Sequence, residues 1–91
     1  EINTSTDEQL WGDVPNIYPN PTQDKVFIDY AGAEELLVQV YSVNGQLLLE
    51  DKFPANTAQH TIRLGNFANG IYQLKLSNDT KILVKRIERI Q

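Results

Sequence analysis

From residue 16 onward the chain is a series of short runs in which apolar and polar positions alternate, separated by Gly, Pro, Asn and Asp. An alternation of period two places one set of side chains on each face of a pleated strand. Seven such runs are predicted as strands: 16–18, 25–30, 36–43, 46–53, 59–64, 71–77 and 80–87. In the second, Val26, Ile28 and Tyr30 share a face. In the fourth, Leu47, Leu49 and Phe53 oppose Gln46, Glu50 and Lys52. His60, Ile62 and Leu64 face inward in the fifth, and Tyr72, Leu74 and Leu76 in the sixth. Asn44-Gly45 joins the third and fourth runs and predicts a type I′ hairpin, whose two central residues take positive φ.

Short, evenly spaced strands with turn signals between them predict an all-β fold, an immunoglobulin-like antiparallel sandwich of about seven strands. The tail offers two patterns. Leu83, Val84, Ile87 and Ile90 line up on a helix, whereas Ile82-Leu83-Val84 is β-prone and follows a ready antiparallel partner. The strand reading, ending at Arg86 or Ile87, is favoured.

Residues 1–13 are polar and aperiodic apart from Leu10 and Trp11. Residues 1–14 are therefore expected to be a linker or leader from an upstream cargo, and 15–91 the domain. The chain begins at Glu1 without Met, as expected of a piece of a longer protein.

Composition narrows the function classes. A chain of 91 residues suffices for one small domain. A net charge of −4 and a pI near 4.8 argue against a nucleic-acid partner, since no basic stripe spans the chain. Lys81, Lys85, Arg86 and Arg89 nevertheless make the end locally basic. With no Cys, disulfides and thiolate chemistry are excluded. The single histidine, His60, sits in an inward position and reads as structural, because a lone imidazole without a partner rarely serves as an acid or base. Glu50 and Asp51 are strand neighbours and point to opposite faces, so they cannot converge as a catalytic pair. The aspartates lack calcium-loop spacing, and the five glycines show no phosphate cradle. No catalytic, metal or cofactor site is expected.

Four segments carry a more specific signal: Tyr18-Pro19-Asn20-Pro21, then Val38 to Gly45 with Leu47 to Leu49, then Phe67-Ala68-Asn69-Gly70-Ile71-Tyr72, and last Ile82-Leu83-Val84-Lys85-Arg86. In this order and spacing the chain resembles the C-terminal sorting domain (type A) of type IX secretion cargo proteins from Bacteroidetes. The resemblance spans about residues 17 to 86. It departs in having Phe67 where Leu is usual, and in continuing through Ile87-Glu88-Arg89-Ile90-Gln91 beyond the last basic pair.

The resemblance implies a folded secretion signal without catalysis. It would direct a cargo from the periplasm across the outer membrane to the cell surface or the extracellular space. Implied partners are outer-membrane translocon components, the upstream cargo, and a sortase-like peptidase that removes the label within the leader while the cargo is anchored. The positions carrying the motif are Pro19, Asn20, Pro21, Asn44, Gly45, Gly70, Tyr72, Lys81, Val84, Lys85 and Arg86. Pro19, Asn20 and Pro21 read as shaping the start of the first full strand. Gly45 and Gly70 read as backbone requirements, and Tyr72 as a packed or corner tyrosine. The last hairpin, 71–86, is the expected recognition element, through an edge strand that could also pair two copies of the domain. Its lysines have an alternative role as edge protection against aggregation. The competing functional reading is an immunoglobulin-like or carbohydrate-binding accessory module, which would use Trp11 or a tyrosine such as Tyr41 as a stacking platform; a passive spacer is a third.

Overall fold

The computed structural model describes residues 14–91. The readings made of residues 1–13, including Trp11, lie outside the described residues. Seven strands follow the alternating runs: β1 (Asn16–Tyr18), β2 (Lys25–Asp29), β3 (Leu36–Ser42), β4 (Leu47–Phe53), β5 (Gln59–Arg63), β6 (Gly70–Ser77) and β7 (Ile82–Arg89). They form two antiparallel sheets, ordered β1-β2-β5 and β4-β3-β6-β7. This is an immunoglobulin-like sandwich with β4 appended to the sheet of β3, β6 and β7.

The alternation explains the core. Ile17, Val26, Ile28 and Ile62 from the smaller sheet meet Leu36, Val38, Val40, Phe53, Tyr72, Leu74, Leu76, Leu83 and Ile87 from the larger one. At one sheet margin His60 lies against the Phe53 ring and its Nε2 is 2.8 Å from Asp51, so the histidine ties β5 to β4. Glu50 points the other way and accepts from Gln39 on the outer face.

Three expectations are corrected. Asn44 is not in the positive-φ region; only Gly45 is, at φ 90°. The Gly45 N–H donates to the Ser42 carbonyl and the Ser42 N–H to the Gln46 carbonyl. The loop is thus a type I turn over Val43-Asn44 closed by a left-handed glycine, the three-residue hairpin solution. The register also shifts between Val40, opposite Leu49, and Tyr41, opposite Leu47. One extra residue, Leu48, is accommodated in β4, which takes Leu47, 44% exposed, off the face it was expected to share with Leu49 and Phe53. Finally, the tail is a strand through Arg89, two to three residues longer than expected.

Candidate recognition edge

β7 is the last strand of the larger sheet and pairs with β6 along its full length, from Gly70 opposite Arg89 to Ser77 opposite Ile82. Its other edge is where the first motif lies. The side-chain amide of Asn20 donates to the Arg86 carbonyl at 2.9 Å and accepts the Glu88 N–H at 3.0 Å. Thr22 then takes over: its N–H donates to the Glu88 carbonyl, and its carbonyl accepts the Ile90 N–H, both at 2.9 Å. Thr22 and Arg89 form a parallel bridge. Asn20 thus does with its side chain what a neighbouring strand does with its backbone.

Thr22 is buried, and its Oγ1 donates to the Lys25 carbonyl at 2.6 Å, which fixes the segment as it enters β2. The prolines set the backbone on either side of Asn20, with both Tyr18-Pro19 and Asn20-Pro21 bonds cis. The motif precedes β2 and also grips β7 through Asn20, a contact sequence reading missed.

A second missed residue is Arg89. It is only 8% exposed. Its Nε and Nη2 donate to the carbonyls of Leu64 and Gly65 at 3.2 and 3.1 Å, and its Nη1 to Asn69 Oδ1. One planar guanidinium therefore holds the β5–β6 crossover against the end of β7. The residues after Arg86, read from sequence as a small extension, contain a core residue, Ile87, and this clamp.

The basic side chains of the end divide into two kinds. Lys81 is committed: its Nζ lies 3.0 Å from Glu34, which also accepts the Tyr30 hydroxyl at 2.7 Å. The Tyr30 hydroxyl and then Lys81 hold the Glu34 carboxyl below its ordinary range, and Glu34 raises Lys81. Lys85 and Arg86, by contrast, are exposed, and their side chains make no hydrogen bond or ion pair among the described residues. Lys85 shares the inward-facing parity of Leu83, Ile87 and Arg89, yet reaches solvent because β7 is at the margin. Arg86 shares the outer face with Ile82 and Val84, which are 36% and 50% exposed.

The other motif positions are internal. Tyr72 is buried against Phe67 and its hydroxyl donates to the Ala68 carbonyl four residues upstream, a tyrosine-corner geometry. Gly70 opens β6 at φ 156°, where a side chain is disfavoured. Tyr30 and Tyr72 are core residues, which takes two tyrosines from any sugar-stacking role; Tyr41 is half-buried.

Fold and surface define a small β-sandwich module whose distinctive exterior is a partly covered, basic strand edge. The family of secretion system C-terminal sorting domains matches residues 16–89, most of the chain, and the protein belongs to that family, the type IX secretion sorting domains. No curated protein matches it.

Proposed function

We propose that this domain is read as a folded address label through the β6–β7 hairpin. Family membership supports its role as a type IX secretion sorting signal, which implies export across the outer membrane to the cell surface or the extracellular space. The observation that carries the choice of element is that Lys85 and Arg86 stand exposed on the margin strand and unpaired among the described residues. A solvated cation that does nothing for the fold is available to a partner. Val84, exposed on the same outer face as Arg86, supplies an apolar contact beside them.

In this reading the cargo carries the label through the periplasm, and outer-membrane translocon components engage β7. A sortase-like peptidase then cuts within residues 1–14 while the cargo is joined to the surface, leaving 15–91 as the released domain. The β7 edge is also the place where two copies would pair.

The test is a reporter fused to residues 1–91, fractionated from a type IX host and from a mutant lacking the translocon. Surface appearance confined to the competent host supports the reading. Loss of export in a Lys85→Ala, Arg86→Ala double variant that still folds assigns it to β7. Equal retention in both hosts refutes it.

A further inference from the structure

The 19–22 segment occupies only part of the β7 edge. Its bonds run from the Arg86 carbonyl through both backbone groups of Glu88 to the Ile90 N–H. Backbone groups two residues apart face the same edge of a strand. The Arg86 N–H and both groups of Val84 therefore face that edge too, beyond the reach of the segment's hydrogen bonds. A strand that adds to a sheet gains affinity from a row of main-chain hydrogen bonds, and strands in globular proteins run about 3–10 residues. The stretch left open at Val84 and Arg86 is short for such a row.

We propose that Pro19–Thr22 is a strap that holds the place of an incoming strand. An extended peptide segment starts on the open groups of Val84 and Arg86, then displaces Asn20 and Thr22 to pair through Glu88. Three features favour this occupant. Asn20 imitates a peptide group, donating and accepting on alternate backbone positions as a strand would. The Thr22 bridge is already a strand pairing, one residue long. Lys85 and Arg86 flank the open groups on the two faces without partners among the described residues, so the charge that complements them is acidic. The strap directly follows β1, so its release loosens the connection between the leader side of the domain and β7.

This inference rests on the reading of β7 as the recognition element, and its test is independent of export. The full 91-residue chain is studied by amide hydrogen exchange in NMR, with a capped seven-residue peptide alternating valine and glutamate as the probe. In the wild type at saturating probe, the Val84 amide gains protection while the Thr22 and Ile90 amides lose it. In Asn20→Ala, with Val40 and Leu74 amides reporting that the sandwich is intact, the Glu88 amide exchanges about tenfold faster without probe. The probe also binds that variant about tenfold more tightly, because less has to be displaced. A Thr22 amide that stays protected while Val84 is occupied overturns the strap, as does equal affinity for variant and wild type, or no binding to either. The wild-type arm stands even if the variant fails to fold. Export that fails while the exchange pattern holds removes the sorting role of β7 and leaves the strap; the converse removes the strap alone.

Discussion

Asn20 and Glu88 are 68 positions apart in the chain, yet the side-chain carbonyl of one accepts the backbone N–H of the other at 3.0 Å. The partner nitrogen of the same amide reaches the Arg86 carbonyl. One exposed asparagine thereby joins the entry to β2 to the end of β7, across both sheets.

Replacing Asn20 with Ala should lower unfolding stability by about 1 kcal/mol, the net worth of hydrogen bonds that solvent can partly replace. Asn20→Asp keeps the acceptor for Glu88 and loses the donor to Arg86, so it should be intermediate. Urea denaturation followed by tyrosine and tryptophan fluorescence checks the order; a neutral Asn20→Ala would mean that water substitutes fully for the amide.

Arg89 should matter more. Its three acceptors are two carbonyls and an asparagine oxygen, all at a nearly covered site. Arg89→Ala is expected to cost about 2–3 kcal/mol, in the range of hydrogen bonds to a charged group. Arg89→Lys should recover little, because an ammonium cannot span three acceptors placed around a plane. Equal stability of the lysine variant and the wild type would contradict the clamp.

Gly45→Ala should destabilise by about 1–2 kcal/mol through its φ of 90° alone, since an added Cβ there meets no neighbour within 4 Å. Gly45→Asn should cost less than Ala, because Asn tolerates the left-handed region. Thermal melts of the two variants rank them.

Acid should weaken the tie between the β2–β3 loop and the β6–β7 turn. Glu34 has a folded-state pKa below its ordinary 4.5, owing first to the Tyr30 hydroxyl and then to Lys81. Its contribution is therefore complete above the unfolded value and is lost as pH falls through the lower folded one. Lys81 has the opposite sign: raised above 10.5, it contributes fully below that value and loses its contribution at higher pH. Urea midpoints compared between about pH 3 and 6 should fall for the wild type and fall less for Glu34→Gln. Parallel curves would show that the pair adds nothing.

The strands and the core were legible because burial on one face of a pleated strand imposes period two, and residues such as Val38, Val40, Leu74 and Leu76 are placed by that rule alone. The edge contacts were not. Asn20 is polar, lies in a turn-rich segment and finds its partner by three-dimensional closure, which leaves no periodic trace. Arg89 looked like one more solvated cation, because a guanidinium that satisfies buried carbonyls has the same composition as one that faces water. Leu47 was misplaced because a bulge adds one residue and reverses the parity that the alternation argument depends on. Asn44-Gly45 marked a hairpin correctly, and Gly45 took the left-handed backbone, but the pair sits one position later in the loop than a two-residue turn requires.

The closing strand has a consequence for synthesis. Leu83 and Ile87 cover the core, and Arg89 and Glu88 hold segments made much earlier. A chain broken off before Ile82 leaves β6 as a bare apolar margin and Asn20 with nothing to grip. The larger sheet, the cover over the core and these ties to earlier segments are therefore complete only once the chain has been made past Arg89.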